Sequence, residues 1–279
     1  MTRVTVPLKM QPNEFLQTAM EAARLGGDVL MRYFRDGVAM RNKIERSGKT
    51  YDLVSDADVE SEDRIAAFLR QRYPDHELLG EESLSAGRAD AEHLWVIDPL
   101  DGTNNFAHRL PHFAVSIAYY FQGQPIAGVV LNPATDDWFT STRGGGAFHN
   151  SRPVSVSDAS SLGQSMIGCG FYYDRGAMMR STLDAIGEFF EHEIHGIRRV
   201  GTAAIDLCYV GCGHFDGFFE YSLAPWDFAA GRLFVEEAGG TITDSAGSPL
   251  PLSKSCLVAS NGRIHPAMIE ITAKHRVSH

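Results

Sequence analysis

The chain has 279 residues but only four cysteines, no apolar stretch long enough to cross a bilayer and no low-complexity tract. Cys169, Cys208, Cys212 and Cys256 are too few and too irregularly spaced for a disulfide framework, which sets aside the small secreted scaffolds. Cys208 and Cys212, four apart, would share a helix face, either as a zinc pair or as small buried thiols. The N-terminal MTRVTVPLKMQPNEF lacks a signal-type apolar core, and the densest apolar run, Ala114 to Phe121, is interrupted by Ser116. The expectation is a cytoplasmic protein with no membrane partner. Positive charge is also short. Lys plus Arg number 25 against 35 Asp plus Glu, a formal −10 that repels the phosphates of nucleic acids and anionic lipids, so no nucleic-acid partner is expected. A G-x-S-x-G motif is missing, and neither His108 with His112 nor His192 with His195 stands beside a Ser or Cys nucleophile signal. Lys43, Arg46 and Lys49 form a small positive group that reads as phosphate-attracting or as a solvated loop.

What is present is an ordinary globular composition, 44% hydrophobic and 22% charged, at a length that allows one large α/β unit or two closely packed halves. Phe15, Leu16, Ala19, Met20, Ala23, Leu30, Tyr33 and Phe34 repeat at helical spacing after Asn13, and Val59 to Tyr73 repeats the pattern until Pro74 stops it. Two helices are therefore expected before the first sheet. Short strand-like runs follow at 77–80, 94–97, 113–121, 126–131 and 138–142, with Gln122–Gly123 as a hairpin turn and RGGGAF at 143–148 as a turn. The polar segment near 155–165 reads as a connection, which divides the chain into an α+β half, 1–154, and an α/β half, 155–279. In the second half, SMIGC, IRRV, FDGFFE and CLVAS read as strands. Helices are expected at about 176–192, over TAAIDLCYVG, from Phe228 to Ala238 with Gly239 and Gly240 closing it, and from about Pro266.

The chemistry concentrates in Trp95-Val96-Ile97-Asp98-Pro99-Leu100-Asp101-Gly102-Thr103. A buried strand ending at Ile97 would deliver two carboxylates three positions apart at its C-terminal end, where open α/β sheets place ligands. Pro99 would stiffen the turn, Gly102 would let the backbone come close, and the Gly102 and Thr103 amides would open an anion-binding segment. A solvated loop or a helix cap is the alternative for this Asp-x-x-Asp pair alone. Glu81 in GEES again follows a short apolar strand, and Asp227 stands at a helix start in APWD, where an ordinary N-cap is the alternative. Four carboxylates crowded together need divalent cations to neutralise them, and an all-oxygen set points to Mg²⁺ rather than zinc.

GEES at 80–83, WVIDPLDGTNNF at 95–106, HFAVSIA at 112–118, RRVGTAAIDL at 198–207 and PWDFAAGRLFVEEAGG at 225–240 together resemble the inositol monophosphatase family, in order and over nearly the whole chain. The resemblance implies a layered αβαβα sandwich of the inositol monophosphatase and fructose bisphosphatase type. It also implies hydrolysis of phosphate monoesters with two or three Mg²⁺ ions, by direct attack of a metal-activated water, sensitivity to lithium, and a homodimer. Glu81, Asp98 and the Leu100 carbonyl would hold one ion, and Asp98, Asp101 and Asp227 a second. Thr103 would orient the water, with Asp58 polarising it or serving only as a helix cap. Gly102 and Thr103 would supply amides to the phosphate, Gly201, Thr202 and Ala203 would form the sugar-side loop, and Glu220 would bond substrate hydroxyls while repelling a second phosphate. Departures from the family pattern fall at Asn104–Asn105 and at Gly170-Phe171-Tyr172-Tyr173-Asp174, where a Gly-Phe-Pro is usual. The expected substrate is myo-inositol monophosphate or a similar polyol phosphate. The alternatives are a 3′-phosphoadenosine nucleotide, fructose 1,6-bisphosphate, histidinol phosphate, or a non-catalytic binding role on this scaffold.

Overall fold

The computed structural model describes residues 12–37, 40–42, 53–171 and 174–276. Lys43, Arg46, Lys49, Tyr172 and Tyr173, singled out above, lie outside the described residues. Helix α1 (Pro12–Asp36) is followed by the short strands β1 (Met40–Asn42) and β2 (Leu53–Ser55), then α2 (Asp56–Arg72), β3 (Glu77–Gly80), β4 (His93–Asp101) and α3 (Thr103–Ala107). A meander of β5 (Ala114–Phe121), β6 (Gln124–Asn132), β7 (Asp137–Thr142), β8 (Gly146–His149) and β9 (Arg152–Pro153) completes a seven-stranded sheet ordered β3-β4-β5-β6-β7-β8-β9. Its ladders are antiparallel except for the parallel β3–β4 pair. The second sheet, ordered β11-β10-β12-β14-β13, is built from β10 (Met166–Cys169), β11 (Gly196–Arg198), β12 (Gly217–Leu223), β13 (Thr241–Thr243) and β14 (Ser255–Ser260). Between these strands run α4 (Ala177–Glu191), α5 (Ala203–Gly211) and α6 (Pro225–Glu237), and α7 (His265–Lys274) closes the chain.

Side-chain alternation along the strands generates the layers, because successive residues face opposite sides. Trp95, Ile97, Ile117 and Tyr119 pack against Phe15, Ala19 and Leu30 of α1 and Ile65 and Leu69 of α2. Their neighbours Val96, Ala118 and Tyr120 face Ala204, Cys208, Ala230 and Phe234 of α5 and α6. Leu207 and Phe228 of the same two helices meet Phe218, Leu257 and Ala259 of the second sheet. The far face of that sheet, with Ile167, Phe219 and Val258, is covered by Phe189 of α4 and Met268 of α7. The result is the expected αβαβα sandwich, and β5 is buried along its whole length because it has a helix layer on each side. Cys208 is buried on α5, as a small apolar thiol would be.

Three expectations need correction. The β1–β2 pair stands between the first two helices, so two helices do not precede all sheet. Helices α2 and α6 each begin one turn earlier than apolar spacing indicates, since a polar first turn carries no stripe and is set by caps: Ser55 accepts from the Ala57 amide, and Pro225 occupies N1. In RGGGAF only the first residues turn, and β8 begins at Gly146. The Gln122–Gly123 hairpin turn is as expected, both residues taking positive φ (47° and 74°).

At the β3–β4 end of the sheet, His76 stacks on His93 (centroids 4.4 Å, 7° apart) and on Tyr73 (4.6 Å), and its Nδ1 accepts from Trp95 Nε1 at 3.1 Å. Burial, and next the neighbouring His93, push its pKa down to about 4 against the pull of Asp75. The unfolded chain takes this proton near 6.5 and the folded chain refuses it, so the contribution is complete above that pH and disappears between 6.5 and about 4. Because the ring is only half-buried, on the order of 1–2 kcal/mol is at stake. His76→Phe should therefore flatten the fall of Tm with pH over that window, and an unchanged slope would show that the histidine is not responsible.

Candidate active site

The site is organised by an irregularity in β4. In a regular strand, residues three apart point to opposite faces, so Asp98 and Asp101 could not share a site. Against β5, Asp98 pairs with Ser116 and Asp101 with Ala114, three steps on one strand opposite two on the other. This one-residue bulge turns both carboxylates the same way. Pro99 sits inside it, where a missing N–H breaks no ladder bond. The strand therefore runs through the acids to Asp101 instead of ending at Ile97 as the apolar run implies. Asp98 is 1% exposed, and its Oδ1 accepts from the Leu100 amide at 3.0 Å. Gly102 follows with φ +91°, and a Cβ there would stand 2.4 Å from Thr202 Oγ1, so only glycine fits.

Glu81 enters from the end of β3, which runs parallel to β4. Its loop is fixed by Glu62 of α2, a buried carboxylate that accepts from the amides of Glu82 (3.0 Å) and Ser83 (2.6 Å) and from the Ser83 hydroxyl. Asp227, third residue of α6, accepts from the Ala224 amide at 2.7 Å and hydrogen-bonds Asp98. Burial, then the charges of Glu81, Asp101 and Asp227, hold Asp98 well above the usual carboxylate range. Asp227 is raised by burial and then by Asp101 and Glu81. Asp101 is pushed up to about 8 by burial, with Asp206 and Glu81 adding to it and the Ala204 and Ala203 amides opposing.

Four mutually repelling carboxylates from three segments form a donor set of hard oxygens with no His or Cys, which fits Mg²⁺ in chemistry. Among the described residues no three His, Cys, Asp or Glu side chains already stand as a closed cage.

Beside the acids, Thr103 Oγ1 donates to the Leu100 carbonyl (3.1 Å) and lies 3.4 Å from Asp58 Oδ1. Asp58 takes part in the cap of α2 and also faces Thr103. Its Oδ2 closes a capping box on Ser55 (amide 2.8 Å, hydroxyl 2.7 Å), while Oδ1 faces the threonine. Burial pushes it up to about 7, the Ser55 bonds oppose this, and Glu81 and Glu82 add to it. On the other side, Asn105 Nδ2 donates toward the carbonyls of His112 (2.8 Å) and Val200 (3.0 Å) and toward Thr202 Oγ1 (3.3 Å), tying α3 to the 200–203 loop. The Ala204 amide donates to Asp101 Oδ2 at 2.7 Å, and burial pushes the nearby Asp206 up to about 8, with Arg199 and the Gly201 and Thr202 backbone opposing. Glu220 lies on β12, 8% exposed, its pKa raised well above the usual range by burial and then by Asp227, with Arg199 opposing. Burial thus works against the charge on which repulsion of a second phosphate would depend.

A sequence model of the inositol monophosphatase family matches residues 11–277. The chain belongs to this family. Its members include a putative Nus factor SuhB of Neisseria meningitidis serogroup B, 40% identical over 264 residues that cover 94% of this chain and 99% of the relative. An inositol-1-monophosphatase of Rhizobium meliloti is 39% identical over 266 residues, 94% of this chain and 97% of the relative. Among solved structures, the extragenic suppressor protein suhB of Bartonella henselae superposes with a TM-score of 0.85 at 37% identity, covering 94% and 99% of the two chains. Family membership makes the chain a phosphomonoesterase. No helix among its described residues is long and apolar enough to cross a membrane.

Against that family background, three residues that build the site went unrecognised in the sequence. Glu62 carries a signal in retrospect: Asp58, Ser61, Glu62, Ile65 and Leu69 fall on one buried stripe of α2, where an unpaired acid would be costly. Asp206 is likewise an acid inside an otherwise apolar helix pattern. Asn105 carries no such signal, since its role depends on two loops nearly a hundred residues apart.

Proposed function

We propose that the chain hydrolyses a polyol monophosphate such as myo-inositol monophosphate with Mg²⁺ held at the Asp98 bulge. The observation that carries this reading is the convergence of Asp98, Asp101 and Asp227 with Glu81, near enough for its charge to act on all three, beside the Thr103–Asp58 pair. Glu81, Asp98 and the Leu100 carbonyl would hold one ion and Asp98, Asp101 and Asp227 another. When bound, Mg²⁺ supplies positive charge for the phosphoryl oxygens and makes water more acidic near neutral pH. The Gly102 and Thr103 amides would donate to a phosphate oxygen. With the Leu100 carbonyl given over to an ion, the Thr103 hydroxyl would donate to Asp58 instead, turn its lone pairs toward a water and fix it for direct attack on phosphorus. None of the residues matched to the family pattern acts as a covalent nucleophile, so no phosphoenzyme forms. On this division residues 1–154 supply most of the ion-holding groups, and residues 155–279 supply Asp227, the Gly201-Thr202-Ala203 wall and Glu220 on the leaving-group side.

A phosphate-release panel of inositol monophosphate, a 3′-phosphonucleotide, fructose 1,6-bisphosphate, histidinol phosphate and an aryl phosphate, run with Mg²⁺ and with chelator, tests the reading. Glu220→Ala within that panel should cost about 1–3 kcal/mol in kcat/KM for inositol monophosphate, roughly 5- to 150-fold, the scale of hydrogen bonds to a buried carboxyl. The aryl phosphate, which has no hydroxyls there, should be affected much less. Equal losses would remove Glu220 from substrate recognition, and a preference for the 3′-phosphonucleotide would replace the substrate. A Nus-factor role beside catalysis is the second reading, kept because the neisserial relative bears that name. The complete set of acids favours catalysis.

A further inference from the structure

Gly170 follows β10 directly and is not among the residues with positive φ, so its backbone makes no demand for glycine. Space does. Strands β10 and β12 run parallel with Cys169 opposite Phe219, and the Gly170 amide donates to the Phe219 carbonyl at 3.1 Å, which sets Gly170 beside Glu220. A Cβ placed on Gly170 would stand 1.8 Å from Glu220 Oε2, 2.3 Å from its carboxyl carbon and 2.9 Å from Oε1, all closer than real Cβ contacts come. The carboxyl of Glu220 therefore occupies the volume in which any other residue at 170 would begin its side chain. Its own strand leaves it little alternative, since β12 is paired with β14 at Glu220–Leu257 and is irregular immediately beyond. Glu220 is buried against the end of β10, with the buried Cys169 one residue before the glycine.

We infer that Gly170 is a specificity-positioning residue: by lacking a side chain it lets the Glu220 carboxyl lie back against β10, leaving the leaving-group side of the pocket open to a ring-sized polyol. The inference rests on the reading of Glu220 as the residue that meets substrate hydroxyls. Because the atoms in conflict are the far end of one side chain, a methyl group at 170 is absorbed by driving that carboxyl forward, away from the place where it can bond those hydroxyls.

The test is a double-mutant cycle on the full chain: wild type, Gly170→Ala, Glu220→Ala and the double variant, each measured for Tm and for KM and kcat on inositol monophosphate. Gly170→Ala alone should lower Tm and raise KM about tenfold with a smaller change in kcat, whereas in the Glu220→Ala background it should change each by less than about twofold, the mark of two residues sharing one space. If Gly170→Ala alone fails to fold, folding of the double variant supports the inference, and failure of both while Glu220→Ala folds overturns it. Equal effects of Gly170→Ala in both backgrounds also overturn it. If Tm is coupled but Glu220→Ala hydrolyses inositol monophosphate as the wild type does, the specificity role falls, and the fault lies in the reading of Glu220 and not in the contact.

Discussion

Asp98→Asn is expected to leave less than about a tenth of wild-type kcat at saturating Mg²⁺, the largest loss from any single change in the carboxylate cluster. Asp98 is the most enclosed of the four acids, and it alone is assigned to both proposed ion sites. One of its oxygens is already engaged by the Leu100 amide, so an asparagine would present either its NH₂ to an ion or its NH₂ to a backbone donor, and neither arrangement is tolerated. Chelation of the wild type should reproduce the loss and Mg²⁺ should reverse it, while the variant should not recover. The same substitution should raise Tm in chelator, because it removes one of the charges that raise the pKa of Asp227 and its neighbours. Loss of activity with a stability gain separates a functional role from misfolding. A variant keeping more than about a tenth of kcat would withdraw Asp98 from the ion sites.

Thr103→Ala carries the second large effect, a fall in kcat of about 10²-fold or more with little change in KM, the scale of one positioned proton-transfer group. Thr103 is 6% exposed and its hydroxyl has the Leu100 carbonyl and Asp58 as acceptors, so it contributes orientation and not bulk. Quenched reactions should contain no protein-bound phosphate during turnover. A stoichiometric seryl or aspartyl phosphate would replace direct attack by a two-step route.

Much of this arrangement is legible in one dimension because it is local. Pro74 stops α2, and the apolar runs before Glu81 and Asp98 announce strands that deliver acids. The motif around Asp98 carries the family resemblance because its parts are contiguous. What the sequence does not reveal is long-range or compensatory. The bulge at Asp98–Asp101 exists only relative to β5, so the strand reads as ending at Ile97 when judged by apolar residues alone. Glu62 reads as an ordinary polar position until the Glu82 and Ser83 amides are brought to it. Glu220 is visible as an acid ending an apolar run, but its pressure on Gly170 follows from strand order β10–β12, which no local pattern encodes. The β1–β2 pair and β13 are three-residue strands, too short for any periodicity to register.

The extra residue in β4 also gives the site a reading frame. Composition is one way to disarm it, by exchanging an acid. Length is another. Removing a single residue between Asp98 and Asp101 would leave the acids two apart and still on one face of a regular strand, but it would straighten the turn in which the Leu100 amide reaches back to Asp98 and take away Pro99 or Leu100 itself. In this stretch an in-frame codon deletion therefore keeps every acid and still alters the site, while the β6–β7 connection, a surface turn between Asn132 and Asp137, has no such constraint on its count.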